Sequence, residues 1–154
     1  MKAKVFWKGR MSFNGEAESG FSVPLGADAS VGGDNDGLRP MELFAIGLAG
    51  CTAMDVISIL KKKRMDITEF EVTAQIERAA EHPKVFTKAV LEYMICGHGV
   101  EETAVVRAIE LSATRYCPAQ AMLNKVFPIA LKYQIYEELL NGERNLVKSG
   151  DYKI

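Results

Sequence analysis

The chain carries no charged residue between Glu42 and Asp55. The helical pattern around that stretch, from Met41 to Lys63, is therefore apolar on nearly every side, and a helix of that kind is expected to be buried on most faces. One modest sheet cannot cover it, so a second copy of the chain is the natural partner and a homodimer is expected. Pro40 is a good first helical residue, and Lys61, Lys62, Lys63 and Arg64 close the helix with cations that complement its dipole. Gly47 and Gly50 lie inside it, each costing about 1 kcal/mol relative to alanine, which suggests the close approach of another backbone.

On either side of this helix the pattern changes to strand. Ala3 to Trp7 alternates, and Met11 to Val23 continues in short pieces broken by glycine, as in a hairpin or meander. Leu25 to Leu38 is a long glycine-rich loop with neither period, a kind that carries function more often than core. Phe70 to Glu77 and Val85 to Ile95 read as two strands of a hairpin, Glu101 to Tyr116 as an amphipathic helix, Pro118 to Lys125 as a short helix, and Ile129 to Ile135 as a last strand. The class is α+β. A chain of 154 residues suits one domain, placed at 1–138, with 139–154 as a loosely held tail.

A net charge of −1 and a pI near 6.2 give no electrostatic reason to expect nucleic acid. The N-terminus has no apolar run of signal-peptide kind, and no window reads as a membrane span, so a cytoplasmic protein is expected with no membrane partner. In a reducing compartment cysteines stay as free thiols, and any disulfide is transient or catalytic. With only two histidines and no Cys-x-x-Cys or His-Glu-x-x-His, neither a metal nor another cofactor has a motif to hold it.

Three cysteines remain to be weighed. A buried cysteine is most often a small hydrophobe. Cys51, however, follows Gly50, which leaves room for a small molecule to approach the sulfur, and a second cysteine, Cys117, stands before Pro118 at the start of another helix. A thiol at an N-cap faces unpaired N–H groups and the positive end of the dipole, so Cys117 is expected to be the better-prepared thiolate, helped by Arg115 if that side chain turns toward it. Cys96 ends a strand and reads as structural, and His82 and His98 read as surface residues. Asp55, one turn after Cys51 on the same face, would suppress the reactivity of Cys51 unless a cation intervened.

Leu-Arg-Pro-Met-Glu-Leu-Phe-Ala-Ile-Gly-Leu-Ala-Gly-Cys-Thr (Leu38 to Thr52), followed by Arg-Tyr-Cys-Pro-Ala-Gln-Ala-Met-Leu (Arg115 to Leu123), resembles the OsmC/Ohr family of osmotically inducible and organic hydroperoxide resistance proteins. The chain is closer to the OsmC-like branches than to Ohr itself. The resemblance implies antiparallel sheets packed around a long buried central helix, in an intertwined homodimer with its sites at the subunit interface. It makes Cys51 the peroxidatic and Cys117 the resolving cysteine, with an organic hydroperoxide as substrate, a dithiol reductant of lipoyl type and no cofactor. In Ohr-like members a glutamate directly after the proline holds the active-site arginine; that position is Met41 here, and Glu42 comes one residue later. Glu42 would sit about 180° from Cys51 around an ideal helix, and position 41 about 80° from it. Arg10 and Arg39 are the candidate arginines. The function read from these residues is a thiol-dependent peroxidase; the alternative is a non-enzymatic dimer that binds a small ligand or senses redox state.

Overall fold

The structure, a computed structural model, describes residues 1–153. It contains two compact units, Met1–Phe44 and the remainder beginning at Ala45. The first unit is a three-stranded antiparallel sheet in the order β1 (Ala3–Gly9), β2 (Ser12–Ala17), β3 (Ser22–Leu25). The glycine-rich segment that follows is an ordered loop with a 3-10 turn at Ala29–Val31. It folds back on β3, where Leu38 donates its N–H to the Pro24 carbonyl at 3.0 Å and accepts from Gly26 at 3.0 Å. Gly33 and Gly37 permit that return, because a Cβ on Gly33 would lie 1.9 Å from the Ala27 carbonyl oxygen and one on Gly37 2.7 Å from the backbone of Leu25.

Helix α1 (Pro40–Lys62) leads into the second unit, which continues with β4 (Asp66–Arg78), β5 (Phe86–His98), α2 (Glu102–Leu111), α3 (Pro118–Leu123), β6 (Ile129–Glu138) and β7 (Arg144–Tyr152). The sheet order is β4-β5-β6-β7. The fold class is α+β, with two sheets and a long helix, as the sequence indicates. One pairing departs from the antiparallel expectation: β5 and β6 run parallel, because α2 and α3 carry the chain back across the sheet between them. A second departure lies beyond residue 138, read from sequence as loosely held, where β7 pairs antiparallel with β6 from Leu131–Tyr152 to Glu138–Arg144. Most of β7 is exposed, so backbone pairing rather than an apolar stripe holds it.

The core of the second unit is built by spacing. Leu48, Thr52, Val56 and Leu60 recur every fourth residue of α1, and all are buried. Ala89, Leu91, Tyr93 and Ile95 alternate along β5 and turn inward, and Val105, Ala108 and Ile109 of α2 and Leu131 and Ile135 of β6 complete the same cluster. Burying each of the larger aliphatic side chains contributes on the order of 2 kcal/mol. The expectation that α1 is buried on most faces is not met within one chain: Ile46 is 54% and Met54 74% exposed. By length and apolar composition alone α1 would pass for a membrane span, against the sequence reading, with only 22% of its apolar window buried. A Cβ at Gly47 or Gly50 would meet open space, so no backbone among the described residues presses on them.

Candidate functional site

Cys51 lies in the fourth turn of α1, half-buried, next to the only hydroxyl in the apolar stretch, Thr52. After α2 the chain makes one π turn, Ser112–Tyr116, a feature that often marks functional sites, and the Cys117 N–H closes it on the Ser112 carbonyl at 2.9 Å. Cys117 is then the N-cap of α3, with φ −77° and ψ 103°, and Pro118 fills the first helical position, which needs no donor. Its Sγ accepts the Gln120 backbone N–H at 3.4 Å.

The fold thus brings the two thiols together, near enough for Cys51 to bear on the ionisation of Cys117. The expectation of a poised thiolate at Cys117 is overturned. Burial pushes its thiol up to about 11, the Gln120 and Ala119 N–H groups pull the other way without prevailing, and the neighbouring Cys51 raises it further. The helix end is genuine, but Cys117 is only 2% exposed, and loss of hydration outweighs a short helix's dipole. Arg115 contributes no obvious relief, since it is exposed and its guanidinium lies 5.6 Å from the centre of the Tyr116 ring.

A row of hydroxyls that the sequence did not single out lies in the same core. Thr52 Oγ1 is 2.6 Å from Tyr93 Oη and 2.9 Å from Ser112 Oγ, and Ser112 donates to Asp55 Oδ2 at 3.0 Å. The contributors come from α1, β5 and the π turn. Thr52 and Ser112 are fully buried and Tyr93 is 1% exposed, while Asp55 is only half-buried and opens the row toward water. Burial pushes the Tyr93 phenol up to about 12; the Thr52 hydrogen bond opposes this, and charges at Cys117 and Asp55 add to it. Gln120, 2% exposed, makes no side-chain hydrogen bond of proper geometry with either amide atom, although its carboxamide lies near enough to lower the Tyr93 phenol. Thr52 was the available sequence signal, as the one hydroxyl in an otherwise apolar run.

The remaining candidates belong to the first unit and have partners there. Arg10 pairs with Asp34 at 3.1 Å and donates to the Gly32 carbonyl at 3.4 Å. Arg39 donates to the Gly37 carbonyl at 2.9 Å and to the Asn35 side chain, and lies 3.7 Å from Asp28. Glu42 reaches back to the Arg39 backbone N–H at 2.8 Å, the acidic half of a capping box at the start of α1. Cys96 is buried in β5, and His98 pairs with Asp66 at 3.0 Å on the surface. Among the described residues no group of three or more His, Cys, Asp or Glu side chains gathers as a metal site. The clefts of the second unit, one of about 570 Å³ between Asn124, Ile129, Tyr152 and Lys153, are not lined by either thiol.

Comparison with known proteins gives a consistent picture. The model of the family described as OsmC-like protein matches residues 33–132. Protein YhfA of Escherichia coli K12 is 36% identical over 135 residues, which is 88% of this chain and 98% of that protein. Among solved structures, a hypothetical protein from Aquifex aeolicus VF5 is 25% identical with a TM-score of 0.78, over 90% of this chain and 97% of that one. An organic hydroperoxide resistance protein OsmC from Legionella pneumophila shares the fold at 18% identity and a TM-score of 0.64, over 87% of this chain and 94% of that one.

Proposed function

The chain belongs to the OsmC-like family, and from that premise we propose that it is a thiol-dependent peroxidase that reduces organic hydroperoxides through Cys51 and Cys117. The observation that carries this reading is the meeting of two free thiols of unequal access beside a buried polar row. Cys51 is the one a substrate can reach, so it is the nucleophile. Its thiolate attacks the distal peroxide oxygen, the O–O bond breaks, an alcohol leaves with a proton, and Cys51 becomes a sulfenic acid. Cys117, sealed from water, is protected from peroxide and meets only what is formed on Cys51. It closes a disulfide with release of water, and a dithiol of lipoyl type restores both thiols. Arg10 or Arg39 is the arginine proposed to serve the thiolate, with Glu42 as the acid at the start of α1. The organic hydroperoxide substrate agrees with the resistance function in the name of the Legionella relative.

The same reading takes the active form as a homodimer. The uncovered apolar side chains of α1 and the open space at Gly47 and Gly50 are what a second copy would fill. The raised Cys117 thiol favours a second reading, a small-ligand-binding or redox-sensing dimer without turnover, because a neutral resolver closes slowly.

Consumption of cumene hydroperoxide with dihydrolipoamide separates the two. The peroxidase turns over, prefers cumene hydroperoxide to hydrogen peroxide, and loses all turnover as Cys51→Ser. Cys117→Ser reacts once and then over-oxidises at residue 51, since nothing captures the sulfenic acid. A parent protein that forms no disulfide and consumes no hydroperoxide sinks the proposal.

A further inference from the structure

The hydroxyl row beside the thiols has a direction. Asp55 accepts from Ser112, so the Ser112 hydrogen is committed and its oxygen must accept from Thr52. Thr52 has one hydrogen, so its oxygen accepts from Tyr93 in turn. Every hydrogen in the row therefore points toward Asp55, and at the far end the Tyr93 oxygen keeps lone pairs to receive a proton. The row lies against the segments that carry both thiols: Thr52 follows Cys51 in α1, and the Ser112 carbonyl accepts the Cys117 N–H at 2.9 Å; in keeping with this, charge at Cys117 raises the Tyr93 phenol, and burial holds the Cys117 thiol neutral.

We propose that Tyr93, Thr52, Ser112 and Asp55 form a proton relay that takes the Cys117 proton during disulfide closure. This rests on the peroxidase reading for its oxidant. In the step, the Cys117 sulfur attacks the Cys51 sulfur, the S–S bond forms, and the S–O bond of the sulfenic acid breaks. The Cys117 sulfur is oxidised and the Cys51 sulfur reduced to the common disulfide level. The Cys117 proton passes to Tyr93 Oη as the Tyr93 hydrogen moves to Thr52, that of Thr52 to Ser112, and that of Ser112 to Asp55. The departing hydroxide takes a proton from solvent, Asp55 returns one to solvent, and the net product is water. The relay requires the Cys117 sulfur, which accepts the Gln120 N–H at 3.4 Å, to leave that donor and reach Tyr93 Oη as it attacks Cys51.

The test times closure of the Cys51–Cys117 disulfide by acid quench and mass spectrometry in the parent, Thr52→Val, Thr52→Ser and Asp55→Asn. One arm uses one equivalent of cumene hydroperoxide. The other uses diamide, which forms an adduct on an accessible thiol that the second thiol displaces, with no peroxide chemistry. The ratio of closure rate to the rate of first modification at Cys51 falls roughly a hundredfold in Thr52→Val and Asp55→Asn, the scale of one lost proton-transfer route. Thr52→Ser, which restores the hydroxyl, recovers it. Closure in the parent slows in deuterium oxide with a curved dependence on deuterium fraction, and in Thr52→Val the dependence becomes linear. An unchanged ratio in Thr52→Val or Asp55→Asn, or a Thr52→Ser as slow as Thr52→Val, overturns the relay. So does a parent that closes no disulfide with diamide. Closure with diamide but not with cumene hydroperoxide removes the peroxidase reading alone, and the diamide ratios still decide the relay.

Discussion

Two polar clusters of the molecule do opposite things with the same kinds of bonds. Around the glycine-rich loop of the first unit, Arg10, Arg39, Asp28, Asp34 and Asn35 make ion pairs and hydrogen bonds with water at hand, and side chains such as Arg10 and Asp34 are 67% and 41% exposed. In the core of the second unit, Thr52, Tyr93 and Ser112 make three contacts in which every hydrogen has one place to go. Exposed pairs exchange protein partners for water at small net gain, and the median worth is about 0–1 kcal/mol. Buried groups have no such exchange, so a missing partner carries the full desolvation penalty. The loop can therefore change its partners cheaply, whereas the row is locked.

The largest break in this comparison comes at Tyr93. Tyr93→Ala removes a ring from the cluster that holds Leu91, Ile95 and Ile109 and takes away the donor to the Thr52 hydroxyl. It should cost roughly 3–5 kcal/mol in urea unfolding, and more than Tyr93→Phe, which keeps the ring and loses only the hydroxyl. A cost below that of Tyr93→Phe would mean the ring is not part of the core.

The locked core also has a pH signature. Cys117 keeps its proton in the folded protein up to about 11 from an ordinary value of 9.0. Between those values the unfolded chain has lost a proton that the folded protein retains, so stability is full below pH 9 and falls as pH rises toward 11. The slope approaches about 1.4 kcal/mol per pH unit for one such group. Cys117→Ser should flatten that part of the curve, leaving the later loss from Tyr93, whose phenol titrates higher. A parent whose stability is level from pH 9.0 to about 11, the span between the two values, would contradict burial as the cause.

What was legible from sequence follows the range of the forces. Helix α1, its Pro40 start and the N-cap at Cys117 depend on neighbours in the chain and were readable. The strand β7 was not, because Arg144–Tyr152 lies mostly exposed on the outside of the sheet and shows no apolar alternation. The state of Cys117 was misread for a related reason: the dipole is local and visible, but burial is supplied by distant elements. Thr52, Tyr93 and Ser112 lie 41 and 60 positions apart, and no short motif joins them. The solitary hydroxyl of Thr52 in its apolar stretch was the one available signal, and it was not read.

Gln120 sharpens the comparison at a smaller scale. Its carboxamide is buried like the hydroxyl row but lacks the row's hydrogen bonds. Gln120→Leu or Gln120→Met should therefore stabilise the protein by about 1 kcal/mol, the reverse of a Thr52→Val loss of similar size. A destabilisation of that size would show that the carboxamide has a partner in solution.

The smallest effect is expected where the bonds are most numerous to the eye. Arg10 pairs with Asp34 and reaches the Gly32 carbonyl, yet both contacts are exposed, and the second is long at 3.4 Å. Arg10 also sits at φ 46°, in the left-handed region that side chains rarely adopt. Arg10→Gly loses the ion pair, at most about 1 kcal/mol, and relieves backbone strain of comparable size, so the two offset. Arg10→Ala loses the pair and keeps the strain. Thermal unfolding should place Arg10→Gly at or slightly above the parent and Arg10→Ala slightly below it, with added salt narrowing the gap between parent and Arg10→Ala because the ion pair is screened. A loss of several kcal/mol in Arg10→Gly would mean that the loop is locked as firmly as the core, and the contrast between the two clusters would fail.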